Sequence, residues 1–176
     1  GGTLVASNQS LPKDTPVTGF LEIAVTEGQS LPSFDSLGLS QPTLKVVGMG
    51  QSVKMSVKGG TGNVRYDSAS FTISVFDQAT LHNHGVALQD ELQVQLVLVD
   101  LIGGESVCGV VSFSGSELVD GLQRDGNGLG EGWYHLMKQL PGKAPEPIHG
   151  PQNPTGGTEA ELFLKFRYMG VVAPQR

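Results

Sequence analysis

Apolar side chains recur at every second position in a series of short runs along this chain, the spacing of a β-strand with one face buried and one face wet. Leu21, Ile23 and Val25 alternate with Glu22, Ala24 and Thr26, and Val53, Met55 and Val57 alternate with Lys54, Ser56 and Lys58. Phe71, Ile73 and Val75 alternate with Ser and Thr, and Leu92, Val94, Leu96 and Leu98 alternate with Gln93, Gln95, Val97 and Val99. Further runs lie at residues 42–47, 107–113, 133–140 and 160–168, the last with Leu162, Leu164, Phe166 and Tyr168 on one face. Eight strands and no long helix are therefore expected. The fold class predicted is all-β, an eight-stranded antiparallel sandwich, with Leu21, Ile23, Val25, Phe71, Ile73, Val75, Val94, Leu96 and Leu164 in its core.

The stretch at residues 19–47 organises the rest. Its two strands are joined by a long Gly/Ser/Pro-rich loop in which a single acid, Asp35, stands among Leu31, Phe34, Leu37 and Leu39, and Pro42 sets the chain direction before the second strand. Residues 1–18 read as a lead-in arm, 19–170 as the domain and 171–176 as a tail. A short helical turn or ordered loop suits the polar residues 77–90, and the Gly-rich segments 120–132 and 141–158 suit flexible surface loops.

Composition narrows the partners. The 25 Gly and 10 Pro among 176 residues fit an all-β chain with generous loops, large enough for one self-sufficient core. A net charge of −6 supplies no overall field toward nucleic acid or anionic lipid, so such binding would need a local basic patch. The single cysteine, Cys108, builds no disulfide framework, which favours a cytoplasmic setting. No apolar run approaches the roughly 20 residues that span a bilayer.

Residues 19–47 also carry a family pattern: G-x-L-x-I-x-V-x-E-G, then L-P, then D-x-x-G-x-S-x-P-x-x-K-V, fitted in order by Gly19, Leu21, Ile23, Val25, Glu27, Gly28, Leu31, Pro32, Asp35, Gly38, Ser40, Pro42, Lys45 and Val46. This resembles the opening of a C2 domain. Leu98-Val99-Asp100, Cys108-Gly109-Val110 and Gly132-Trp133-Tyr134-His135-Leu136 follow in the family's later order, while Asn63, Tyr66 and Asp67 match its N-P-x-W-N-E run loosely, with Val64 in place of the proline. The resemblance implies a β-sandwich used for membrane targeting or protein docking.

Calcium is where the chain departs from the family. The ion takes six to eight oxygens. The resemblance puts about five acids on two top loops; only Asp35 and Asp100 remain, with Gln41 and Ile102 where further acids are expected. Glu105 reaches the site only if its loop folds back. The expectation is no metal, with those two as residual acids. Asp125-Gly126-Asn127-Gly128 opens like an EF-hand loop, yet Leu129 holds a ligand position and no Glu closes it. His82 and His84 lack a third ligand at useful spacing. A Gly-x-Ser-x-Gly elbow is absent and Cys108 lies in an apolar run, so no catalytic residues and no cofactor are expected.

Surface features remain. Lys45, Lys54, Lys58 and Arg65 lie on or beside strands two to four, where some C2 domains carry a lysine patch for phosphoinositide headgroups; the alternative is an ordinary solvated face. Phe34, Leu37, Leu39, Leu101 and Ile102 would form an apolar rim or pack loop against loop. The expected function is a non-enzymatic, calcium-independent C2 domain acting as a protein-docking or scaffold module, in the manner of centriolar, ciliary and other cytoskeletal scaffold proteins. The alternative is peripheral binding to anionic phospholipid membranes through the basic face and the apolar tips.

Overall fold

The structure is a computed structural model that describes residues 3–5, 15–35, 37–85, 90–124, 127–151 and 158–171. Two sheets pack face to face. One runs β1 (Thr3–Val5), β6 (Ser70–Phe76), β2 (Val17–Leu31), β12 (Glu161–Gly170), β9 (Leu129–His135), with β5 (Gly62–Arg65) on the far part of β2. The other runs β11 (Glu146–Pro147), β10 (Met137–Lys138), β8 (Glu105–Ser114), β7 (Glu91–Val99), β3 (Gln41–Gly48), β4 (Gln51–Ser56). All pairings are antiparallel except that of β1 with β6.

The antiparallel sandwich read from the alternation is present. All nine residues assigned to its core are buried, from Leu21, Ile23, Phe71, Val94 and Leu164 with no exposure to Val75 at 8%. Burying a large aliphatic or aromatic side chain is worth about 1.5–3 kcal/mol, so this core outweighs any surface contact in the molecule. The strands of the 19–47 stretch fall in different sheets: β2 is central in the first and β3 lies within the second, so their connecting loop spans one end of the sandwich.

A bulge in β2 shapes that end. The pairing with β12 steps from Phe163 opposite Glu27 to Leu164 opposite Val25, which leaves Thr26 as the extra residue. Its carbonyl accepts the Tyr66 N–H at 3.0 Å, while the Val25 N–H donates to the Ala69 carbonyl at 2.8 Å. These bonds hold the chain between β5 and β6 against the core, and Tyr66 is 7% exposed. A second tie crosses between the sheets. The buried Gln51 amide donates to the Ser74 carbonyl at 2.7 Å and accepts from the Ser74 N–H at 2.8 Å.

Several expected elements differ. Four short strands (β1, β5, β10 and β11) add to the eight expected, and β1 comes from the lead-in arm. The segment at 133–140 is not one strand: β9 begins at Leu129, the buried Leu136 carries the chain across, and β10 continues in the other sheet. Helix α1 (Gln78–Asn83) accounts for the polar segment after β6, with the Asp77 carboxylate accepting from the Ala79 N–H. Helix α2 (Gly115–Arg124) was not expected, and it takes residues 120–124 from the segment assigned to a flexible loop. Its apolar residues Val119 and Leu122 are buried against the sandwich, and Asp90 accepts from the Ser116 N–H at 2.8 Å to satisfy its first turn. The start of the EF-hand-like stretch, Asp125-Gly126, lies outside the described residues.

Candidate functional site

The pairing of β3 with β7 puts Gln41 opposite Val99, so the described parts of the loops that precede and follow them, residues 32–35 and 37–40 on one side and 100–104 on the other, lie side by side at one end of the sandwich. Each loop is stapled by its own acid. Asp35 accepts from the Gly38 N–H at 3.1 Å through Oδ1 and from the Ser40 N–H at 2.7 Å through Oδ2. Asp100 Oδ1 accepts from the Ile102 N–H at 3.0 Å and the Gly104 N–H at 2.7 Å. Gln41, where the family pattern expects an acid, donates instead to the carbonyls of Pro42 at 3.0 Å and Val57 at 2.9 Å. That amide fastens the first loop to the segment after β4. An acid at this position could not donate those bonds.

With the loop backbones held this way, four aliphatic side chains project into water: Leu37, Leu39, Leu101 and Ile102, with exposures of 77%, 58%, 86% and 93%. Phe34 does not join them. It is half-buried and packs against the core, so the apolar rim has four members instead of the five expected.

The four cations do not form one patch. Lys45 and Lys54 are cross-strand neighbours whose repulsion is relieved by Glu105 at the start of β8, each ammonium lying 3.0 Å from one of its carboxylate oxygens. Hydrogen bonds from Lys45 first and Lys54 second hold the Glu105 carboxyl below its usual range. Arg65 lies on β5 in the opposite sheet, cross-strand from Glu27 and lining an open hollow with Lys165 and Asp67. Lys58 is exposed at the loop end and has no ion pair among the described residues. Glu105 is the neighbour of these two lysines that the sequence reading missed, because it was weighed only as a calcium ligand.

Between the first loop and the segment after β4 lies an open cleft of about 290 Å³. Leu31, Phe34, Leu96 and Leu98 give it apolar walls, and Asp35, Lys58 and Tyr66 are its ionisable residues. Burial pushes the Tyr66 phenol up to about 12. Elsewhere, burial raises the half-buried Cys108 thiol, which packs on the core. His82 lies in α1 and His84 caps it; among the described residues no three His, Cys, Asp or Glu side chains gather as a metal site.

The two mixed-order sheets with their loop end define the fold of a C2 domain. No family model matches the sequence, and no curated protein does. Solved structures do match. The first-lettered C2 domain (domain A) of plant extended synaptotagmin 1 superposes with a TM-score of 0.59 at 17% identity, covering 90% of this chain and 99% of that one. The paired C2 domains, A and B, of extended synaptotagmin 2 give 0.56 at 15% identity, over 92% of this chain and 44% of that longer one. A C2 domain-containing protein from a putative elicitor-responsive gene gives 0.54 at 12% identity, over 95% and 100%. At such identities the likeness is one of fold. No helix among the described residues is long and apolar enough to cross a membrane.

Proposed function

We propose that this chain is a non-enzymatic, calcium-independent C2-fold module that docks a protein partner through the apolar loop end. The observation that carries this reading is the set of four exposed aliphatic side chains, Leu37, Leu39, Leu101 and Ile102, on two adjacent loops. Such side chains gain from burial in a partner's groove and stabilise nothing in the free chain. Two further features favour a protein over an anionic bilayer. The net charge is −6, and Glu105 already occupies the space between Lys45 and Lys54 that a phosphate would need.

Calcium independence is supported by the chemistry of the loops. Extended synaptotagmin 2 has been solved with calcium bound. In this chain both oxygens of Asp35 and one oxygen of Asp100 accept from backbone N–H groups of their own loops, and Gln41 donates where an acid would coordinate. A scaffold setting, centriolar or ciliary proteins included, is carried by the family resemblance alone.

The second reading, insertion of the same tips into a membrane, draws on the same exposure, because two inserted aliphatic side chains would contribute more than an exposed ion pair. To test the docking reading, immobilised wild-type protein and the Leu101→Asp/Ile102→Asp variant are compared for proteins retained from lysate in the presence of chelator. A set of partners retained by wild type and lost by the variant, at equal melting temperature, is the expected result. Identical sets would overturn it.

A further inference from the structure

We propose that the loop-end cleft is a binding site for a small apolar carboxylate, one aryl ring or a short acyl chain that ends in a carboxylate group. The inference concerns the cleft and not the exposed tips, and it holds or fails independently of the docking reading. At about 290 Å³ the cleft sits at the small end of ligand sites, which run from roughly 300 to 1,000 Å³. That is room for one ring or a short chain, against walls supplied by Leu31, Phe34, Leu96 and Leu98.

Two polar groups of the lining lack protein partners. Tyr66 is 7% exposed, yet its hydroxyl makes no hydrogen bond among the described residues. The oxygen itself is open to solvent, since no sealed side-chain oxygen or nitrogen among the described residues lacks a partner, and the phenol is protonated at neutral pH, so it can donate to a ligand in the cleft. The Lys58 ammonium has no ion pair there either. Two donors, one of them cationic, beside an aliphatic and aromatic wall match an anionic oxygen group on an apolar body. Asp35 also lines the cleft; both of its oxygens accept from the N–H groups of Gly38 and Ser40, which leaves its negative charge in place, so an anionic ligand depends on Lys58 and Tyr66 to outweigh it.

The chemistry has two sources, a free carboxylate or the C-terminal residue of a peptide, and the probes separate them. Amide NMR titrations of the whole chain are run with phenylpropanoate, acetyl-phenylalanine, phenylpropanamide and phenylpropylamine. The expected result is saturable shifts around residues 31–35 and 58–66 with phenylpropanoate, about tenfold weaker binding of the amide, and none of the amine. Acetyl-phenylalanine binding as tightly as phenylpropanoate assigns the cleft to a peptide C-terminus; binding of phenylpropanoate alone assigns it to a free acid. Tyr66→Phe should weaken phenylpropanoate binding about fivefold and Lys58→Gln about tenfold. Lys58 is exposed, so that variant tests the site even where Tyr66→Phe folds poorly. No saturable shift with either carboxylate, equal or tighter binding of the amide or the amine, or undiminished binding by Lys58→Gln would overturn the proposal.

Discussion

Glu105 lies 3.0 Å from Lys54, and its second oxygen lies 3.0 Å from Lys45. One carboxylate on β8 thus bridges two lysines that face each other across β3 and β4 and offsets one of their two charges. An anionic partner at this face would have to displace a ligand that the protein supplies to itself. Glu105→Gln is therefore expected to raise retention on heparin and on phosphoinositide vesicles, with a melting temperature close to that of wild type. The effect should weaken as salt rises. Because the lysines lower the folded pKa of Glu105, its contribution is present above the ordinary carboxylate range and is lost as pH falls through the lowered value. Wild type should approach the behaviour of the variant only below that point. Retention equal in the two proteins at neutral pH would place any anion site elsewhere.

Leu101 and Phe34 lie on neighbouring loops with opposite burial, and substitution should separate them. Leu101→Ala removes a side chain that is 86% exposed, so thermal melting should show no change. Phe34→Ala removes a ring packed against the core and should cost about 1–3 kcal/mol, read by chemical denaturation. Equal losses would mean that Leu101 packs in solution, which would remove the apolar rim.

Gln51 satisfies both backbone groups of Ser74 across the two sheets. Its replacement by Ala strands a buried N–H and a buried carbonyl, at a cost of about 2 kcal/mol or more. Urea denaturation should show a lowered midpoint with little change in slope. A loss under about 0.5 kcal/mol would mean that water takes over both bonds.

Tyr66 ties stability to alkaline pH. Its folded pKa of about 12 lies above the ordinary 10.0, so its contribution is complete below 10 and is lost as pH rises through 12. Tyr66→Phe should flatten that part of the pH–stability curve relative to wild type. Parallel curves would show that the phenol is not desolvated.

The core was legible because alternation is local: Leu21, Ile23 and Val25 declare their face within five residues. Helix α2 was less so, since its Gly115 and Gly121 and its polar residues mask a short apolar stripe. A signal was nevertheless there. Ser114 and Glu117 stand at capping-box spacing, and the Ser114 hydroxyl accepts from the Glu117 N–H at 3.3 Å. The change of sheet at Leu136 left no such mark, because an apolar residue within an apparent strand looks the same whether or not the chain crosses the core. Gly109 records that crossing on the partner strand: a Cβ there would fall 2.5 Å from Leu136 Cγ and 2.7 Å from Ile148 Cδ1.

At the loop end, the acids Asp35 and Asp100 and the exposed leucines were legible from loop composition. Their bonding was not. Whether a loop acid coordinates an ion or caps its own backbone depends on where the N–H groups of Gly38, Ser40, Ile102 and Gly104 point. The split of the cations depends on long-range register in the same way: Arg65 follows Lys54 by eleven residues yet lies in the other sheet, and Lys58 stands in the segment between β4 and β5.

Vesicle co-sedimentation with millimolar calcium and with chelator separates a calcium-independent protein-docking module from a membrane-binding one. A calcium-independent protein-docking module of net charge −6 is expected to remain in the supernatant of anionic phosphatidylserine and phosphoinositide vesicles under both conditions, and calcium should not raise its melting temperature. Sedimentation in chelator that Leu101→Asp/Ile102→Asp abolishes would transfer the loop end to the membrane reading. Sedimentation that appears only with calcium, together with a calcium-dependent rise in melting temperature, would contradict the claim outright.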